Sequence, residues 1–275
     1  MTAADAIWQQ IQQTGRLEDR QVHYFETVES TNTLALEMGQ AGAATGTVLV
    51  AETQTKGRGR LGKAWCSPPG KGLYCTVLLR PEIAVHHLPR ITLAAGLAAA
   101  RAIDELSGQQ SAIKWPNDVL IQGRKVAGIL AECALAGGEW PVVALGVGIN
   151  LGTKVEQFPE ELRLTASSLL LASGRGIGQG LMLVTLLRWI EEMMARLERA
   201  DFAGILDEWR KKDATVGQWL TWLTNDGRAV HGVSLGPDQE GLLMVRDRAG
   251  KDHHVLSGDI ALDPNRLNGY FPGAD

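Results

Sequence analysis

The chain has 275 residues, 45% of them hydrophobic and 21% charged, enough for a large core and a smaller second one. Its formal charge of −4, from 27 Lys and Arg against 31 Asp and Glu, gives no general attraction to nucleic-acid phosphates. No apolar run reaches the roughly 18 residues of a membrane span, and the first residues lack the basic and apolar regions of a signal peptide. Cys66, Cys75 and Cys133 are odd in number and scattered, which disfavours a disulfide framework or a structural zinc site. A cytoplasmic protein that binds neither DNA nor membrane is the expectation.

In chain order, residues 4–13 read as a short helix with Ile7 and Ile11 on one face. A strand over 22–28 runs to Ser30, placed as the N-cap of a helix over 31–40 with Leu34, Ala35 and Met38 inward. Strands are predicted over 47–51 and 73–79, and an alanine-rich buried helix over 91–106. Short strands follow at 111–115, 119–121, 126–133 and 142–149, with Gly123-Arg124 as a hairpin turn. Helices are expected at 166–171, 181–199 and 202–211. Helices set between runs of strands favour an α+β fold, a mixed sheet backed by helices. After Asp213 the texture changes to short strands broken at Asn225-Asp226-Gly227, Gly236-Pro237-Asp238 and Arg248-Ala249-Gly250. This predicts a catalytic domain over 1–212 and a small barrel over 213–275.

Gly57-Arg58-Gly59-Arg60-Leu61-Gly62-Lys63 matches G-x-G-x-x-G and also part of a Walker A loop. Both motifs must open into a helix that holds phosphates at its N-terminus. Here the loop runs into Ala64-Trp65-Cys66-Ser67-Pro68-Pro69, which cannot start a regular helix, and Ala64 stands where Walker A needs Ser or Thr. Both identifications fail. What survives is anion-binding chemistry: three cations on a loop whose glycines admit close approach to backbone N–H groups. Like-charge repulsion predicts that the loop is mobile until an anion arrives.

Lys114-Trp115-Pro116-Asn117-Asp118 ends a strand in a tight turn. In Lys125-Val126-Ala127-Gly128-Ile129-Leu130, strict alternation puts Lys125 on the face of Ala127 and Ile129. There it is either an edge-strand gatekeeper or an ammonium aimed into a pocket. Gly128 permits close ligand approach, while the glycine spacing of Gly146-Val147-Gly148-Ile149-Asn150 is explained equally by tight packing.

Together with Glu29-Ser30-Thr31-Asn32 and Gln54-Thr55-Lys56, these motifs stand in the order and spacing found in bacterial biotin–protein ligases, which residues 22–152 closely resemble. The resemblance extends weakly to Leu256-Ser257-Gly258-Asp259-Ile260, similar to the family's last strand. It implies a class II synthetase-like (biotin–lipoate ligase) fold, with helices on one face of the sheet, followed by an SH3-like barrel. It implies that Ser30, Thr31, Asn32 and Gln54 meet the biotin ureido ring. It implies that Gly57, Arg58, Gly59 and Arg60 close over the tail and α-phosphate, beside Gly128, and that Lys125 bridges carboxylate and phosphate. Trp65 would pack beside the adenine and Asn150 would contact the nucleotide. Asn117 and Asp118 would position phosphates and metal or receive the incoming lysine. Catalysis would then rest on Lys125, Arg58, Arg60 and Asp118, and ATP binding on Arg60, Lys63, Trp65, Asn117, Lys125 and Asn150. Lys63 stands where the family often has arginine, so a bidentate fork is replaced by a point charge.

The implied substrates are biotin and ATP with Mg²⁺, and the implied partner is a biotin carboxyl carrier domain; a homodimer is left open. About 20 residues precede the catalytic segment, fewer than an N-terminal DNA-binding module needs. A lipoate–protein ligase shares the reaction logic, and a non-enzymatic anion- or nucleotide-binding regulator is the other alternative. The polar set Ser30, Thr31, Asn32 and Gln54 favours a ureido ring over a dithiolane.

Overall fold

In a computed structural model, residues 21–82, 85–134, 141–223, 229–255 and 260–262 are described. The readings for residues 4–13, 225–227 and 256–259 fall outside them. The main sheet comprises β1 (Val22–Val28), β2 (Val48–Gln54), β3 (Gly72–Leu79), β4 (Ala112–Lys114), β5 (Asp118–Ile121), β6 (Arg124–Ala134) and β7 (Val142–Asn150). Their spatial order is β1-β2-β3-β7-β6-β5-β4. Only the β1–β2 pair is parallel, so the sheet is mixed as the sequence predicts.

Alternation along the strands divides the core between the two faces. Val48 and Val50 of β2 and Leu145, Val147 and Ile149 of β7 join the large cluster, while Leu49, Val142 and Ala144 point the other way. The large cluster is covered by α2 (Leu88–Ser107) and α4 (Gln179–Glu198), with α5 (Phe202–Arg210) packed on α2. Alanine in α2 lets α4 approach closely, and Gly108 ends α2 at a left-handed φ of 70°. The first described helix, α1 (Thr31–Gln40), lies on the opposite face through Ala35. Helices thus occupy both faces, not the single face implied by the family resemblance. Because α1 is short, it leaves the rest of its face open for a pocket.

Two turns differ from the sequence reading. The β5–β6 hairpin turns at Gln122 and Gly123, with φ of 51° and 74°, and Arg124 already pairs with Ile121. Two successive positive φ values suit the right-handed twist of the flanking strands. Gly236 and Pro237 lie inside a strand, where Gly236 (φ 82°) sits at a bulge, and the chain turns afterwards at residues 238–242. Before α3 (Leu169–Ser173), residues 166–168 are extended and Ser168 supplies the cap.

The second sheet is antiparallel, ordered β11-β10-β9-β8-β12, from β8 (Trp219–Leu223), β9 (Ala229–Pro237), β10 (Leu243–Asp247), β11 (Asp252–Val255) and β12 (Ile260–Leu262). It is docked on the first. Trp115 Nε1 donates to Gly241 O at 3.0 Å, Arg210 Nη2 donates to Pro237 O at 2.9 Å, and Arg90 pairs with Glu240. Between the sheets, Ile113 N donates to Lys212 O and Ala214 N to Ile113 O, so the connection extends the β4 edge. Among the described residues no helix is long and apolar enough to cross a membrane, and all three cysteines are free.

Asp213 lies half-buried at this connection, its Oδ2 shut off from solvent. Burial pushes its carboxyl above the usual range, against opposing hydrogen bonds from Thr215. A raised folded value means that Asp213 contributes most in acid, and that this contribution is lost as pH rises through the raised value. Asp213→Asn is therefore expected to gain about 1 kcal/mol over the parent at pH 7 and to lose that advantage by pH 4. Urea midpoints of both proteins at the two pH values check it. An advantage that does not shrink in acid refutes it.

Candidate active site

A cavity of about 560 Å³ opens on the α1 face of the main sheet. All the residues singled out from the sequence line it except Gly57. Gly57 acts from behind: a Cβ there would lie 2.6 Å from Trp65 O, so the glycine permits the pinch that closes the loop.

The floor comes from the start of α1. Ser30 (φ −157°) caps the helix, its Oγ accepting from Thr33 N. Gln54 Oε1, at the end of β2, accepts from Thr31 N at 2.9 Å and Thr31 Oγ1 at 3.1 Å, while its Nε2 donates to Ser67 Oγ. The Ser30 hydroxyl proton and one Gln54 amide proton stay available to a ligand acceptor. Asn32 lies over bare backbone: a Cβ on Gly146 would come within 2.2 Å of its Oδ1. Thr76 Oγ1, unnoticed in the sequence, sits 2.7 Å from the same oxygen.

The basic loop is a tight hairpin. Trp65 N donates to Gly57 O, Gly59 N to Lys63 O and Lys63 N to Arg60 O, with Leu61 left-handed between them. In this arrangement the two arginines are drawn to separate partners, which relieves their mutual repulsion. Arg58 pairs with Glu132, whereas Arg60 Nη1 donates to Asn117 Oδ1 at 3.4 Å and stacks 5.9 Å from the Trp115 ring. No regular helix follows the loop, in line with the failure of both phosphate motifs.

Trp65 leaves that hairpin and lies on the paired glycines Gly128 and Gly148. A Cβ on either would come within 2.8 Å and 2.5 Å of the indole. Both glycines therefore make room for a side chain of the same molecule, the tight-packing alternative raised for the second of them. Trp65 Nε1 is buried and has no hydrogen-bond partner among the described residues.

Lys125 is on the other face from the one strict alternation predicts. Val119 pairs with Ala127 but Leu120 pairs with Lys125, so Val126 is an extra residue and β6 bulges. Val126 and Ala127 both enter the core, and the register resets. Lys125 Nζ then lies in the cavity, 2.6 Å from Asp118 Oδ1 and 5.3 Å from the Trp65 ring centre. Asp118 follows a cis Trp115–Pro116 peptide, and Asn117 is fixed by donating Nδ2 to Ile129 O. Asn150 is also engaged, donating Nδ2 to Ser167 O at 2.9 Å, which leaves its Oδ1 for a ligand.

Residues 24–150 match the biotin/lipoate A/B protein ligase family. The bifunctional ligase/repressor BirA of Bacillus subtilis (strain 168) is 34% identical over 239 residues, 87% of this chain and 73% of that protein. The biotin–[acetyl-CoA-carboxylase] ligase of Mycobacterium tuberculosis is 33% identical, covering 88% of each. The chain belongs to this ligase family. Among solved structures, the biotin protein ligase from Aquifex aeolicus in complex with biotin and ATP superposes with a TM-score of 0.75 at 29% identity. That match covers 88% of this chain and 98% of the other. The mixed sheet and small antiparallel sheet of the ligase are thus accounted for together.

Proposed function

We infer that this chain is an ATP-dependent biotin–protein ligase, which forms biotinyl-5′-AMP and transfers biotin to a lysine of a biotin carboxyl carrier domain. One observation carries the reading: a polar floor suited to a urea and a cationic wall suited to phosphates share one cavity, with Lys125 between Asp118 and Trp65. The named relatives are biotin ligases, which favours biotin over lipoate. On this reading residues 1–212 form the catalytic domain and 213–275 the SH3-like barrel.

In the first step a biotin carboxylate oxygen attacks the α-phosphorus of ATP, and the bond to the pyrophosphate oxygen breaks. Two anions must meet. Lys125 lies where its ammonium can neutralise both, and Arg60 and Lys63 add charge at the loop. In the second step the carrier lysine, as the free amine, attacks the acyl carbon and AMP leaves. Water would hydrolyse the same anhydride, so the hairpin over the cavity also serves to exclude it.

The described residues gather no group of three or more His, Cys, Asp or Glu side chains. A magnesium ion that travels with a triphosphate needs only one or two carboxylates, and Asp118 fits that requirement. When bound, the ion supplies charge neutralisation at the phosphates.

ATP-dependent transfer of radiolabelled biotin to a purified carrier domain tests the assignment, and transfer of lipoate in its place overturns it. Ser30→Ala with Gln54→Ala is expected to weaken biotin far more than ATP, since each removes a partner of a buried ureido group at about 1–3 kcal/mol. Calorimetry that finds unchanged biotin affinity removes these two residues from the biotin site.

A further inference from the structure

Glu132 sits on β6 in register with Gly128 and Leu130, facing α1. Its side chain is only 20% exposed, and a carboxylate so placed must find partners. It has two, from two different segments. Oε1 pairs with Arg58 Nη2 of the glycine hairpin at 2.7 Å, and Oε2 accepts from Asn32 Nδ2 of α1 at 3.0 Å. Asn32 also donates to Leu130 O, and Arg58 Nη1 reaches Thr33 Oγ1 at 3.4 Å. An exposed ion pair would contribute little, but here the acid is four-fifths buried and held by a second donor. One carboxylate thereby joins the hairpin, the floor of the cavity and the central sheet.

We infer that Glu132 is a positioning residue of the ligase: it clamps Arg58 and Asn32 together and so fixes the hairpin over the polar floor where the biotin ring is proposed to sit. The inference rests on the biotin-ligase reading. It also changes the part given to Arg58. With its guanidinium held by Glu132, Arg58 is a strut, and the charge that meets phosphate falls to Arg60, Lys63 and Lys125.

The test is a double-mutant cycle on full-length protein, with biotin and ATP affinities measured separately. Glu132→Gln keeps size and removes charge; Arg58→Gln cuts the same strut from its half-exposed end, where folding is least at risk. Each is expected to weaken biotin about tenfold, typical of a coupling between sites, with ATP affinity unchanged. The double variant is expected to match the singles, since the second change removes nothing further. Glu132→Asp, which keeps the charge, should restore part of the loss. A roughly hundredfold loss in the double variant, equal loss of biotin and ATP affinity, or no loss in either single overturns the strut. Parent protein that binds no biotin overturns the ligase reading instead, so the two failures are distinct.

Discussion

Lys125→Ala is expected to lower the rate of adenylate formation about 10²–10³-fold, the cost typical of deleting one stabiliser of transition-state charge. The fold should survive, because this stretch is held through its backbone. Lys125 N donates to Thr165 O and Ser167 N donates to Lys125 O, both at 2.8 Å, whatever the side chain is. The ammonium lies in the cavity against Asp118 and beside the Trp65 ring. Asp118 therefore engages the cation that two substrate anions would claim. Removing the amine leaves Asp118 uncompensated and adds repulsion to the approach of carboxylate and triphosphate. Lys125→Arg should recover only part of the rate, since a planar fork cannot sit as a point charge between two anions. Pyrophosphate release from biotin and ATP measures the step. The strand order has already excluded an edge-strand gatekeeper, since β6 lies between β7 and β5. A Lys125→Ala protein that releases pyrophosphate at near the parent rate would reduce Lys125 to the structural partner of Asp118.

The misplacement of Lys125 shows where the sequence is legible and where it is not. Turn chemistry and capping are local, so Ser30 as a cap and the turn after Trp115 could be read from neighbouring residues. Most of the lining of the cavity could be read as well, because its residues come in compact motifs. A β-bulge has no comparable signature. Val126 and Ala127 are both small and apolar, so the slip that turns Lys125 across the sheet passes unnoticed in the alternation. Glu132 was missed for a different reason. On a strand, a lone acid in an apolar stretch looks like a residue facing solvent, and only the distant hairpin and α1 supply its partners. Its place on the face of Gly128 was the available signal. Placing α1 on the far face of the sheet depends in the same way on which strand faces are already covered, which no single helix encodes.

Arg60→Gly is expected to separate the two half-reactions. Arg60 is the side chain by which the hairpin reaches the opposite rim, donating to Asn117 Oδ1 and lying over Trp115, while Arg58 ties the hairpin to Glu132. Loss of Arg60 frees one side of the cover and leaves the other fastened. Lys125 and Lys63 still line the cavity, so chemistry at phosphorus continues at a reduced rate. Retention suffers more. Closure is a two-state equilibrium, and a lost contact of the closed state alone shifts the population toward open. Glycine at this position adds backbone freedom beside Leu61, whose φ of 55° already strains the closed turn. Biotinyl-5′-AMP should therefore escape before the carrier lysine arrives and acylate exposed amines elsewhere. In a reaction spiked with serum albumin, mass spectrometry should find albumin biotinylated about tenfold more than with the parent protein, an effect of the size expected when about 1.4 kcal/mol of closure is lost. Adenylate formation that persists while albumin stays as unmodified as with the parent would show that Arg60 does not hold the cover shut.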